Sequence, residues 1–280
     1  MRLVIIGCGT MGTGIAEVAV VAGHTATIID PDNGARTRAR ERIENNLRRG
    51  IEKGRIKEPL ETYLGRLAIE SAPPKDSKVH WVIEAAPEQV DLKEAIFQDL
   101  DARYGPEVWL ASNTSSIAIS RIKARASRHP ERIGGLHFFN PVPRMALVEI
   151  VRSMDTSDAY LAAAKALVIS LSKTGIVVPD RPGFLVNRVA RPYYLEALRM
   201  VEEGVAPFDV VDRIMEGAGF PMGPFRVMDL VGVDVNLSVT QSVFEQTYFD
   251  ERYRPHPLQE QMVHRGYWGR KRGRGFYRYE

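Results

Sequence analysis

Two groups of residues have the types and spacing for chemistry. The first is Gly7-Cys8-Gly9-Thr10-Met11-Gly12, a G-x-G-x-x-G loop. Glycines also cluster in ordinary turns. This loop, however, follows an apolar β-branched run, opens a helical pattern, and precedes a second apolar run that closes on Asp30, 18 positions beyond Gly12. In that context Gly7 permits the tight turn, Gly9 lets the backbone approach a pyrophosphate, and Gly12 lets the helix pack closely on the strand, with negative charge received at the helix N-terminus. The pattern predicts a dinucleotide site that includes Gly7, Gly9, Met11, Gly12 and Asp30. Asp30 would accept hydrogen bonds from ribose hydroxyls and repel a 2′-phosphate, which favours NAD over NADP; Arg36 and Arg38 on the next helix are the nearby counter-charges. Asp30 also begins Asp30-Pro31-Asp32-Asn33, where aspartate is equally at home as a turn residue.

The second group is His137 and Glu149. His137 lies in Gly134-Gly135-Leu136-His137-Phe138-Phe139-Asn140-Pro141, an apolar strand ending in a polar turn, and Glu149 lies in the next apolar run. An imidazole oriented by a buried carboxylate is a general-base arrangement suited to near-neutral pH. A hydrogen-bonded core histidine would read the same way. The other five histidines, His24, His80, His129, His256 and His264, have no distinctive surroundings.

The elements that must position these groups follow from hydrophobic periodicity. Strands are predicted at 3–6, 25–30, 79–85, 108–112, 133–138 and 147–151, with helices between them at about 11–22, 34–53, 92–104 and 117–125. This alternation is that of a Rossmann-type doubly wound α/β sheet. From residue 157 the strand signals fade and apolar residues recur at helical spacing through 160–172, 185–203 and 209–217. The segment Val178-Pro179-Asp180-Arg181-Pro182-Gly183 is the natural boundary. The expected architecture is therefore a nucleotide-binding α/β domain over 1–181 and an all-α domain over 182–280.

Composition narrows the function classes. The 280 residues are 44% hydrophobic and 26% charged, as in soluble globular proteins. A formal charge of +3 from 38 basic and 35 acidic residues gives no electrostatic footprint for nucleic acid. No apolar run approaches the roughly 18 residues of a membrane span, and Gly7, Gly9, Gly12 and Glu17 interrupt the stretch that would serve as a signal peptide. The single cysteine, Cys8, excludes an intrachain disulfide and argues against a cysteine-built metal site. No metal is expected, and a cytoplasmic setting fits.

Longer motifs carry a resemblance. Ser112-Asn113-Thr114-Ser115-Ser116, His137-Phe138-Phe139-Asn140-Pro141-Val142-Pro143 through Leu147-Val148-Glu149, Pro182-Gly183-Phe184-Leu185-Val186-Asn187-Arg188, Gly219-Phe220-Pro221-Met222-Gly223-Pro224-Phe225 and Gly275-Phe276-Tyr277 resemble the signature of the L-3-hydroxyacyl-CoA dehydrogenases. The matching segments run from residue 3 to the C-terminus in family order. The resemblance implies that His137 abstracts the proton of the 3-hydroxyl and that Glu149 orients His137 and stabilises its protonated form. It implies that Ser115 and Asn187 help to hold the substrate oxygen, a role hydroxyl and amide donors suit. Without it, Ser115 would be read as a helix cap and Asn187 as a locally paired helix residue. Further cofactor contacts are implied at Glu88, Lys93, Asn140 and Lys271, and CoA contacts at Asn46 and Lys53, where a lysine can pair with phosphate as a point charge. Residues 182–280 are implied to mediate homodimerisation and to close over the substrate.

Arg144 in the Pro-Val-Pro-x-Met segment and Arg272 near the C-terminus depart from the family pattern. The run Arg270-Lys271-Arg272-Gly273-Arg274 is expected to be the basic edge of a folded C-terminus, because Gly275-Phe276-Tyr277 continues it. The expected activity is reversible NAD-dependent oxidation of a short L-3-hydroxyacyl-CoA, such as 3-hydroxybutyryl-CoA, by a stand-alone enzyme, since 280 residues leave no room for a fused hydratase. The alternatives are a sugar-acid dehydrogenase of the L-gulonate type, which the segment after His137 disfavours, and a catalytically silent NAD-binding protein, which the presence of Ser115, His137, Glu149 and Asn187 disfavours.

Overall fold

In the computed structural model, residues 1–74, 78–126 and 128–279 are described. The chain divides into two units, Met1–Asp180 and Arg181–Glu280.

The first unit is built on one eight-stranded sheet. Its elements in chain order are β1 (Arg2–Ile6), α1 (Thr10–Val21), β2 (Thr25–Ile29), α2 (Asn33–Glu52), α3 (Leu60–Leu64), β3 (Leu67–Glu70), β4 (Trp81–Glu84), α4 (Val90–Arg103), β5 (Trp109–Ser112), α5 (Ile119–Ile122), β6 (Ile133–Phe138), β7 (Leu147–Arg152), α6 (Asp158–Ser170) and β8 (Thr174–Pro179). The strand order is β3-β2-β1-β4-β5-β6-β7-β8. All neighbours run parallel except β6 and β7, which are antiparallel. Central strands such as β4 are buried on both faces, which is why they read as continuous apolar runs. On one face, Leu3, Ile5, Trp81, Ile83, Leu136 and Phe138 share a core with Ile15, Ala16 and Ala19 of α1, Ile43 and Leu47 of α2, and Tyr160 and Leu167 of α6.

The doubly wound sheet is present as expected, with two strands added. Both are at sheet edges. β3 is only four residues long, and β8 exposes Thr174, Gly175 and Ile176 and ends in Pro179, so neither carries a clear apolar alternation. Helix α6 packs on β6, β7 and β8, so it belongs to the sheet unit rather than to the start of the helical one. Helix α5 is shorter than 117–125 because Ser115–Ala118 form a loop. Its first amides, Ile119 N and Ser120 N, donate to the Asp180 carboxylate at 2.8 Å each.

The second unit consists of α7 (Val186–Glu202), α8 (Phe208–Gly217), α9 (Pro224–Val231), α10 (Val233–Gln246) and α11 (Pro257–His264). Leu195, Leu198, Val211, Phe225 and Met228 form its core, joined by Phe208, Phe276 and Tyr277. The Asp229 carboxylate accepts from Phe276 N, Tyr277 N and Tyr279 Oη at 2.9–3.0 Å, which ties down the chain end. The basic run is a folded edge: Arg274 lies 3.8 Å from the Tyr267 ring centroid, Arg272 4.9 Å from that of Trp268, and Lys271 pairs with Asp234. Among the described residues no helix is long and apolar enough to cross a membrane, and no group of three or more His, Cys, Asp or Glu is placed to hold a metal ion.

Candidate active site

Parallel pairing of β1, β4, β5 and β6 aligns their carboxyl ends in one row, in which Ile6 faces Glu84, Glu84 faces Ser112, and Ser112 faces Gly135. The connections beyond this row carry most of the residues singled out in the sequence, at the sheet edge where open α/β sheets bind ligands.

The glycine loop leaves β1 with Gly7 at φ +107°, in the left-handed region. A side chain there would meet the Ala85 carbonyl at 2.6 Å, and one at Gly12 would overlap the Gly7 carbonyl. A Cβ on Gly9 would meet nothing within 4 Å, so the space above it is open. Gly9 is the N-cap of α1 and supplies no side-chain cap, which leaves the first-turn amides, including that of Met11, for an outside acceptor. These features fit the pyrophosphate of a dinucleotide. Asp30 makes the turn contact and stands beside the glycine loop. Its Oδ1 accepts from Asp32 N at 3.0 Å, the turn contact, while its Oδ2 accepts from Cys8 N at 2.9 Å and fixes the carboxylate beside the glycine loop. Arg36 donates to the carbonyls of Asp30 and Pro31, and Arg38 lies 3.5 Å from Asp32. Burial, with Asp30 beside it, pushes the Cys8 thiol up to about 11, so Cys8 stays a neutral packing residue.

His137 and Glu149 are directly opposite in the antiparallel β6–β7 pairing. Their side chains meet, with His137 Nδ1 to Glu149 Oε2 at 2.6 Å; His137 is buried and Glu149 fully so. Phe139 lies 4.5 Å from the imidazole between ring centroids. Behind the strand, Phe138 N donates to the buried Asn113 side chain at 2.8 Å. The turn after His137 carries the exposed Asn140 and then Val142, whose side chain packs against Gly14 of α1. Lys173 Nζ donates to the Val142 and Met145 carbonyls at 2.7 Å each and so closes this turn.

Ser115 lies in the loop after β5. It does not cap α5, whose N-cap is Ala118 without a side-chain cap; instead its backbone N donates to Glu88 Oε1 at 3.0 Å. Glu88 Oε1 also accepts from Thr114 Oγ1 and Ser116 N. Burial alone would raise the Glu88 carboxyl, but the Lys93 ammonium and the Thr114 and Ser115 donors hold it below the ordinary carboxylate range. Lys93 is almost completely buried, 2.6 Å from Glu84 and 3.3 Å from Glu88. As placed, it braces Glu88 from inside. Glu84 and Asn113 were not singled out from the sequence. The available signal was a carboxylate closing the apolar run Trp81-Val82-Ile83-Glu84, with a lysine nine residues on.

Asn46 on α2 and Lys53 at its C-cap line a cleft of about 670 Å³ together with Glu17, Arg49, Arg55, Arg144 and Lys173. Asn46 donates to Glu17 at 2.8 Å. Burial raises the Glu17 carboxyl, and the Asn46 amide offsets only part of that. Asn187 and Lys271 belong to the second unit, Asn187 in the first turn of α7 and Lys271 beside Asp234.

Residues 2–181 match the family model for the 3-hydroxyacyl-CoA dehydrogenase NAD binding domain, and residues 183–279 match that for the 3-hydroxyacyl-CoA dehydrogenase C-terminal domain. The chain belongs to the 3-hydroxyacyl-CoA dehydrogenase family. Among characterised family members, it is 42% identical over 275 residues to a 3-hydroxyadipyl-CoA dehydrogenase of Escherichia coli, covering 98% of this chain and 58% of that one. It is 41% identical over 282 residues to a 3-hydroxybutyryl-CoA dehydrogenase of Mycobacterium tuberculosis, covering 99% and 98%. A solved structure of 3-hydroxybutyryl-CoA dehydrogenase from Escherichia coli superimposes with a TM-score of 0.95 at 41% identity, over 100% of this chain and 59% of that one. The chain therefore spans somewhat more than half of the Escherichia coli family members and nearly all of the mycobacterial one.

Proposed function

We propose that the protein catalyses reversible, NAD-dependent oxidation of an L-3-hydroxyacyl-CoA of short chain, such as 3-hydroxybutyryl-CoA, to the 3-oxoacyl-CoA. The observation that carries this reading is the buried 2.6 Å His137–Glu149 pair at the sheet edge that bears the glycine loop, in a chain of this family. His137 takes the proton of the 3-hydroxyl, and Glu149, through Nδ1, fixes the ring and balances the charge of the imidazolium that forms. Ser115 and Asn187 donate hydrogen bonds to the substrate oxygen as it gains negative charge. When bound, NAD supplies the hydride acceptor. Gly7, Gly9, Met11 and Gly12 hold its pyrophosphate and Asp30 its adenosine ribose, with Glu88, Asn140 and Lys271 as further contacts. Lys93 joins that set through its pairing with Glu88.

Asn46 and Lys53 hold the CoA nucleotide in the cation-lined cleft, where Arg49, Arg55 and Lys173 add positive charge for its phosphates. The 1–181 region acts as the NAD-binding domain, and the 182–280 region as the substrate and dimerisation domain of a cytoplasmic homodimer. Exposed Val189, Ile214 and Phe249 on the helical unit support association.

The test is to mix the protein with NAD and L-3-hydroxybutyryl-CoA and follow NADH absorbance, with L-gulonate as the competing substrate. His137→Gln is expected to lower kcat by about 10²- to 10⁴-fold, the range for loss of a general base, with NAD binding nearly intact. A protein that binds NAD but turns over no acyl length would overturn the proposal.

A further inference from the structure

Glu84 closes β4 with its side chain fully buried, and no step proposed above uses it. A buried carboxylate is tolerated only when it is well paired and hydrogen-bonded. Its Oε2 accepts from Ser112 Oγ at 2.6 Å, and its Oε1 from Lys93 Nζ at 2.6 Å and Ala86 N at 2.7 Å. On its other side Lys93 reaches Glu88 Oε2 at 3.3 Å. Glu88 Oε1 then holds Thr114 Oγ1 at 2.6 Å, Ser115 N at 3.0 Å and Ser116 N at 3.2 Å. Two carboxylates thus share one ammonium, and the chain of contacts links the β4–α4 connection to the loop that carries Ser115. Lys93 is shorter to Glu84 than to Glu88, so the inner carboxylate anchors the ammonium and leaves the outer one to grip the backbone of the serine loop.

We propose that Glu84 is a positioning residue for Ser115: it pins Lys93 in the interior so that Glu88 holds the 114–116 backbone, and with it the donor for the substrate oxygen, in place. This rests on the dehydrogenase reading above, in which Ser115 faces that oxygen. If Glu84 loses its charge, Glu88 is the one carboxylate left to Lys93, beside the Ala86 carbonyl at 3.3 Å, and the pair closes at the expense of the bonds to Ser115 and Ser116.

Glu84→Gln keeps the shape of the side chain and an acceptor oxygen for Ala86 N, turns an amide donor toward Ser112 Oγ, and removes the charge. The expected result is a fall in kcat with L-3-hydroxybutyryl-CoA on the order of tenfold, the scale of one charge-assisted hydrogen bond. The substrate KM should stay within about threefold, while NADH Kd, read by fluorescence, weakens with the shift of Glu88, which is itself a proposed cofactor contact. Amide hydrogen exchange over 113–117 should speed up, and this readout does not depend on turnover. If the parent protein is inactive on every acyl-CoA while exchange still rises, the positioning holds and the dehydrogenase reading falls. Parental kcat with parental exchange, or a change confined to NADH Kd, would overturn the proposal.

Should the single variant not fold, the double variant Glu84→Gln/Lys93→Met removes both buried charges together. The charged groups facing Glu88 are Lys93 and, behind it, Glu84, so in the double variant Glu88 is expected to protonate at higher pH. The rate should then fall more on the acid side than in the parent, and a folded double variant with the parental rate and pH profile overturns the inference.

Discussion

Replacing Glu149 by glutamine isolates the charge in the His137–Glu149 pair. The side chain is fully buried and its Oε2 lies 2.6 Å from Nδ1, so glutamine fills the same space and keeps an acceptor within reach. What disappears is the negative charge that balances the imidazolium formed as His137 takes the hydroxyl proton. With charge centres roughly 4 Å apart and an effective dielectric near 20, that interaction is worth about 4 kcal/mol. The neutral hydrogen bond returns part of it, which leaves about 2–4 kcal/mol missing from the transition state, or roughly 30- to 1000-fold in kcat at about 1.4 kcal/mol per tenfold. A glutamine flipped to present its NH₂ to Nδ1 would force the other tautomer and lower the rate further. Because the ground state carries no imidazolium, KM should stay within about threefold. The assay is steady-state NADH formation, with thermal unfolding to confirm the fold. A folded variant that keeps kcat within about threefold of the parent, or loses only KM, would refute the role given to Glu149.

Tyr160 Oη is buried with no hydrogen-bond partner, and burial raises its hydroxyl well above the usual phenol range, so Tyr160→Phe is expected to stabilise the protein by about 1 kcal/mol and raise Tm by roughly 2–4 °C in a calorimetric scan. Glu17 has a raised folded-state carboxyl, so its favourable contribution is present below the unfolded value near 4.3 and is lost as pH rises through the folded value; Glu17→Gln should therefore raise Tm at pH 7 and match the parent near pH 4. Lys53→Met should raise the acyl-CoA KM by about tenfold with kcat and NADH Kd near parental, and added salt should shrink the difference.

The glycine loop and Asp30 were legible because glycine spacing and strand–turn–helix order are local properties. The types His137 and Glu149 were legible too, but their contact was not: it depends on β7 reversing against β6, and pairing register between strands leaves no local mark. Edge strands β3 and β8 escaped notice because one is very short and the other largely solvent-facing. The ion pairs of Lys93 leave less trace: Glu84 closes β4 and Glu88 lies in the connection after it, and no charge pattern along the chain announces that a buried lysine joins them. Asn113 was hidden similarly, since its bond to Phe138 N joins two segments 25 positions apart.

The reversal between β6 and β7 bears on how this protein can diverge. The two partners of the proton-handling pair stand on facing strands joined by residues 139–146, and the ladder sets their meeting rather than the length of the link. Deleting one residue inside either strand would turn His137 or Glu149 to the opposite side of the sheet. Changes confined to residues 143–146 leave the pair intact and alter Pro143, Arg144 and their neighbours at the cleft wall. The hairpin is thus a fixed frame with an exchangeable tip, where the wall of the cation-lined cleft can vary while the proton-handling pair stays where it is.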